Sequence, residues 1–237
     1  AAETEDISDF DVENTENLQG LGNKISIHLE VHADNYLYNK PEFIAVTDGE
    51  KAYVRSLENI DAKELEEFLN SREEVNAYDI KRQIALLNQL DIRFNGFSND
   101  IMMASFLLDP STKIIDVSET VGPYGININS DDFHYGKGRN KKNPSEEETI
   151  EFLTDKVMAV HTAKDKMVKK LAEDEMSELY YDLEVPLSKV LADMEIRGIR
   201  VMTGRLVEME EEIDGQLKEI QLRIFELAGE EVNINSP

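Results

Sequence analysis

The spacing of apolar residues changes along this chain, and the change fixes the order of its elements. Between Lys24 and Leu57 the period is two. Ile25, Ile27 and Leu29 alternate with Ser26, His28 and Glu30, which predicts a strand. Phe43 to Val46 and Lys51 to Leu57 predict two more, joined through Asp48-Gly49 into an antiparallel meander. Asp61 is expected to cap a helix reaching about Asn70. Val75 to Tyr78 reads as a buried fourth strand. Ile80, Ile84 and Leu87 mark a helix to about Leu90, and Asn99 is expected to cap another from Asp100 to Leu108, stopped by Asp109-Pro110.

Residues 121–143 are rich in Gly, Asn and Asp and read as a long loop. Pro144 and the acids at 146–148 then open a helix, where the helix dipole favours them. Its apolar positions run Ile150, Leu153, Val157, Val160, Met167 and Leu171. His161 reads as a surface or core-edge residue of that helix, and Met102-Met103 as helix packing. A helix from about Pro186 to Arg197 ends at Gly198. Thr203 is expected to cap the longest helix. Leu206, Met209, Ile213, Leu217, Ile220, Ile224 and Leu227 form one stripe on that charged rod, which Gly229 ends. The expected class is α/β (α+β), a mixed sheet with helices followed by a helical segment.

Composition narrows the function classes. A chain of 237 residues, 41% hydrophobic, can bury a core for one large domain or one and a half smaller ones. It has no Cys, which excludes disulfides and thiolate metal sites. No apolar run approaches membrane-spanning length, and no secretion-signal pattern opens the chain. Fifty acids against 25 bases give a net charge of −25. Such a surface repels phosphate, so the chain either meets nucleic acid only at a small basic patch or through neutral donors, or does not touch it at all. Lys137 and Arg139, in the basic cluster Lys137-Gly-Arg-Asn-Lys-Lys142, are the candidates. Residues 1–23 carry acids without a base and read as a flexible acidic lead-in.

Two runs near the end carry a family resemblance: Glu178-Leu-Tyr-Tyr-Asp-Leu-Glu-Val-Pro-Leu-Ser-Lys-Val-Leu-Ala-Asp-Met-Glu-Ile-Arg-Gly-Ile-Arg-Val201 and Glu226-Leu-Ala-Gly-Glu-Glu-Val-Asn-Ile-Asn-Ser-Pro237. They resemble the opening of the polymerase domain in the bacterial DNA polymerase I family (family A). Gly96-Phe-Ser-Asn-Asp-Ile-Met-Met-Ala-Ser-Phe-Leu-Leu-Asp-Pro110 and Tyr135-Gly-Lys-Gly138 resemble segments of that family's exonuclease domain. The resemblance implies a ribonuclease H-like 3′–5′ exonuclease domain over residues 24–176 and the first helices of a truncated polymerase domain over 177–237. It implies palm and fingers beyond Pro237, DNA as partner of the full-length enzyme, Mg²⁺ as its cofactor, and a bacterial, cytoplasmic, nucleoid-associated setting. Asn233, Asn235 and Ser236 resemble the start of the family's thumb, where neutral side chains approach the duplex backbone.

The same resemblance locates the chemistry. An active domain of this family holds two divalent metals with four carboxylates. They come from Asp-x-Glu on the first strand, an Asp on the helix after the fourth strand, and an Asp in a Tyr-x-x-x-Asp helix. Here the first pair falls on His28 and Glu30, the second motif on Gln83, and the last on Lys156 of Phe152-Leu-Thr-Asp-Lys156. Only Glu30 keeps a carboxylate. The expectation is a degenerate site without metal or cofactor in this piece, and a scaffold role. The alternative is a working proofreading exonuclease, reached if the register shifts to Glu30 and His32 and if Asp79 or Asp155 moves in. His28, Glu30 and His32, two residues apart, are expected on one strand face. That set suggests a Zn²⁺ site, but neighbours on one face stand about 7 Å apart, which favours a plain polar face.

Overall fold

The structure is a computed structural model that describes residues 5–6, 12–33, 35–111 and 116–234. Eight strands appear among them: β1 (Glu5–Asp6), β2 (Glu13–Asn14), β3 (Lys24–Glu30), β4 (Phe43–Thr47), β5 (Lys51–Ser56), β6 (Glu74–Ala77), β7 (Phe97–Asp100) and β8 (Ile126–Asn127). The helices are α1 (Ala62–Asn70), α2 (Ile80–Gln89), α3 (Ile101–Leu108), α4 (Val117–Val121), α5 (Asp131–Tyr135), α6 (Glu146–Glu173), α7 (Val185–Arg197) and α8 (Thr203–Ala228). Six strands form one sheet in the order β2-β5-β4-β3-β6-β7, and β1 pairs with β8 apart from it. The expected meander is present as antiparallel β3-β4-β5, while β6 and β7 add in parallel beside β3.

Local chemistry explains the elements that the sequence made visible. Asp48 closes the β4–β5 turn by accepting from the amides of Glu50 and Lys51, and Gly49 takes φ +94 there. Asp61 caps α1 through the amides of Lys63 and Glu64. A reciprocal Ser145–Glu148 capping box starts α6. Burial of Ile25, Ile27 and Leu29 on one face of β3 anchors the main core, where Phe68, Leu86 and Leu87 are also buried. A smaller cluster, built from Ala45, Val54, Tyr135, Phe152, Leu153 and Val157, lies under α6.

Several expectations are corrected. Residues 12–23 are no loose lead-in: β2 pairs with β5, and Leu18 and Leu21 are buried. Residues 121–143 are not one loop. They include the end of α4, a 3-10 turn at Gly122–Tyr124, then β8 and α5, elements of two to five residues that are too short to show a period. Asn99 is in β7, and Asp100 caps α3 by accepting from the amide of Met103. Thr203 is the first residue of α8, and no side chain caps that helix.

The structure divides into two compact units, 1–197 and 198–237. In the first, a six-residue π-helical turn, Leu179–Glu184, leads directly into α7. Tyr180 is fully buried there. Its hydroxyl accepts from the Asp100 amide at 2.7 Å and donates to the Asp100 carbonyl at 3.0 Å. α7 runs against α2, and Glu195 of α7 receives bonds from Tyr36 and Lys81. The second unit consists of α8 with its expected stripe, ended by Gly229 at φ +74, and the residues that flank it. No helix among the described residues is long and apolar enough to cross a membrane.

Candidate functional site

The alternation that made β3 legible puts Ser26, His28 and Glu30 on its polar face. The structure turns that face toward α6 rather than toward water. All three residues are buried. A polar residue buried in this way costs stability unless it finds a partner. α6 supplies two of the partners: His161 Nδ1 lies 3.0 Å from Ser26 Oγ, and Lys156 Nζ lies 2.9 Å from Glu30 Oε2. A third pair continues the seam on the next strand, where Lys164 Nζ donates to Glu74 Oε1 at 3.0 Å.

Glu30 is the centre of this seam. Its Oε2 accepts from His28 Nε2 at 2.8 Å as well as from Lys156. Lys156 also pairs with Asp131 Oδ1 of α5 at 2.6 Å. Lys156 is only 3% exposed, so its ammonium is almost wholly enclosed. Burial alone would raise the Glu30 pKa, but the charge of Lys156 and the hydrogen bond from His28 outweigh it and hold the carboxyl well below its usual range. Burial alone would lower the Lys156 pKa, but the charges of Glu30 and Asp131 raise it above the ordinary value. Burial, reinforced by the Lys156 charge, lowers the His28 pKa. His28 is therefore neutral at neutral pH and carries its proton on Nε2, toward Glu30. Its Nδ1 has no partner among the described residues.

Three of the four positions that the resemblance assigns to the motifs, His28, Glu30 and Lys156, are thus in direct contact. The fourth, Gln83, is fully buried on α2, and its Oε1 accepts from the amide of Leu29 at 2.7 Å. It ties α2 to β3 at the residue between His28 and Glu30. His32 does not join them. β3 ends at Glu30, and the exposed His32 ring stacks on Tyr135 with centroids 4.1 Å apart. Asp79 stays at the N-cap of α2, held by the Arg82 amide. Tyr135, His134 and Phe152 pack around the centre: His134 stacks on Phe152 at 4.2 Å, and the Phe152 ring lies 5.0 Å from Lys156 Nζ.

A pair of hard cations needs several carboxylate oxygens around it. Here one oxygen of one glutamate already serves two donors, one of them a buried cation. This donor set does not fit such a pair. Asp131 is the partner that sequence reasoning missed, because it lies in a stretch without periodicity and nothing in its spacing points to Lys156.

Lys137 is exposed and pairs with Asp132 at 3.1 Å, and Arg139 is exposed in the 3-10 turn Gly138–Asn140. Asn233 is exposed after α8, while Asn235 and Ser236 lie outside the described residues.

The sheet order, an antiparallel meander extended by two parallel strands, with α2 and α6 packed on the central strand β3, is that of a ribonuclease H-like domain. The family model for the DNA polymerase I ribonuclease H-like domain matches residues 27–163, and the chain belongs to that family. It is 36% identical over 169 residues to DNA polymerase I of Bacillus subtilis (strain 168), a match covering 71% of this chain and 19% of that protein. It is 32% identical over 232 residues to DNA polymerase I of Geobacillus stearothermophilus, covering 97% and 26%. The chain thus spans about a fifth to a quarter of the length of these curated relatives.

Two solved structures share the fold at 16% identity. The POL domain of Pol1 from M. smegmatis, in complex with DNA primer-template and dNTP, superimposes with a TM-score of 0.69 over 92% of this chain and 36% of that one. Brucella melitensis NrnC with bound Mg²⁺ does so with a TM-score of 0.59 over 78% and 92%.

Proposed function

We propose that this chain is the exonuclease-like part of a DNA polymerase I together with the start of its polymerase domain, and that its ribonuclease H-like domain supports the polymerase without cutting DNA. The observation that carries the reading is the buried Lys156 ammonium, seated on Glu30 and Asp131. A divalent cation at Glu30 would have to displace that ammonium and would gain no second motif carboxylate. Template-directed synthesis with Mg²⁺ then belongs to the full-length enzyme. DNA is met through that enzyme, with Lys137, Arg139, Asn233, Asn235 and Ser236 as contacts to its backbone. The setting is the bacterial cytoplasm, at the nucleoid.

The test is incubation of the chain with Mn²⁺ and a 5′-labelled single-stranded oligonucleotide. The expected result is an intact oligonucleotide. Shortening from the 3′ end that Glu30→Gln abolishes would establish the competing reading, a proofreading exonuclease.

A further inference from the structure

We infer that Asn95-Gly96 is a site of spontaneous covalent modification, where the folded chain converts asparagine to aspartate and isoaspartate. It is the single Asn-Gly dipeptide in the sequence. It lies in the segment between α2 and β7, and both residues are exposed. Neither the Asn95 side chain nor the Gly96 N–H has a hydrogen-bond partner among the described residues. Gly96 also precedes the β6–β7 ladder, which starts at Phe97.

The fold itself keeps a glycine at this position. A Cβ on Gly96 would stand 2.9 Å from two atoms of the Phe94 ring. That ring is buried and meets Phe97 edge-on at 5.0 Å, so a Cβ here would push it against a packed neighbour. A side chain here would shield the backbone nitrogen from the amide before it. Core packing therefore preserves the unshielded dipeptide.

The chemistry needs only water. The Gly96 nitrogen attacks Asn95 Cγ, forming a C–N bond, and the side-chain nitrogen leaves as ammonia with the proton that Gly96 gives up. Water then adds to one of the two carbonyls of the cyclic imide and reopens it. Opening at one carbonyl restores the normal backbone with aspartate at 95. Opening at the other leaves isoaspartate, whose backbone runs through the former side chain and gains one carbon before β7. Either product adds a carboxylate to the cleft that Asn95 shares with Asp193 and Ile196 of α7.

Asp48-Gly49 shows the opposite arrangement. Gly49 N–H donates to Thr47 Oγ1 at 3.0 Å, and the Asp48 carboxylate accepts from the amides of Gly22, Glu50 and Lys51. Both reacting groups are held there, so the fold protects this site.

The experiment ages the full chain at mildly alkaline pH, folded and in urea, and follows it by peptide mapping that separates aspartate from isoaspartate. Folded, Asn95 is expected to lose ammonia on the order of tenfold faster than Asn129, which precedes a serine, a barrier difference of about 1.4 kcal/mol. Its rate should stay close to that in urea, whereas Asp48 should isomerise only in urea. Asn95→Gln, an exposed change that removes no hydrogen bond among the described residues, should abolish both products at that peptide. A folded-state rate at Asn95 no faster than at Asn129, or protection by folding like that of Asp48, would overturn the inference.

Discussion

Lys156 carries its charge where water barely reaches, so its two carboxylate partners decide whether the centre is stable. Breaking a buried pair from one side strands the other charge, typically at a cost of about 3–5 kcal/mol. Lys156→Met should therefore lower unfolding stability in urea by about that amount. Adding Glu30→Gln to it should recover part of the loss, because the double variant no longer strands a glutamate charge. An unchanged midpoint for Lys156→Met would show that the ammonium is not paired as described. Part of this centre was legible in the sequence: which residue types stand at the four motif positions followed from the family resemblance. That they touch was not, since Glu30 and Lys156 are 126 residues apart. Nor was it visible that β3's polar face is covered, because alternation reveals two faces but not what lies against each.

At the scale of the element, the π-helical turn at 179–184 solves a placement problem. In an α-helix, neighbouring residues point about 100° apart. Here the consecutive Tyr180 and Tyr181 both reach β7, one at the Asp100 backbone and the other at Asn99 Oδ1, 2.9 Å away. Asn99 passes the connection on to Asn76 at 2.7 Å, and Asn76 to Glu74 and so to Lys164 of α6. Tyr180→Phe leaves the ring in place but removes the hydroxyl from a buried amide and carbonyl, and should cost about 1–3 kcal/mol. Calorimetry showing no loss would mean that the hydroxyl is not needed there. The elements read correctly from sequence, such as β4, β5, α1 and α6, are those where a cap or turn coincides with a sustained period. β7, α4 and α5 lacked one or the other. The π turn had no sequence signal, and the hydroxyl contacts of Tyr180 and Tyr181 that accompany it are long-range.

For the whole molecule, the net charge of −25 sets a background of repulsion that the compact state must bear. Salt screens exposed charges and leaves buried pairs nearly untouched. The urea midpoint should therefore rise as salt goes from about 0.01 M to about 0.15 M, and a fall would show that exposed attractions outweigh repulsion. The sum of charges was available from composition, but the pairing of Lys156 and Lys164 with acids along an inner seam needed the fold. That seam also restricts what mutation can reach. On the proposed reading, a four-carboxylate centre would call for changes at His28, Gln83 and Lys156. Starting with Lys156 leaves two acids without their cation. Starting with His28 sets a fresh anion beside Glu30, and starting with Gln83 unhooks Leu29. On that reading each of these first steps weakens the protein, and the buried contacts themselves hold the present arrangement in place.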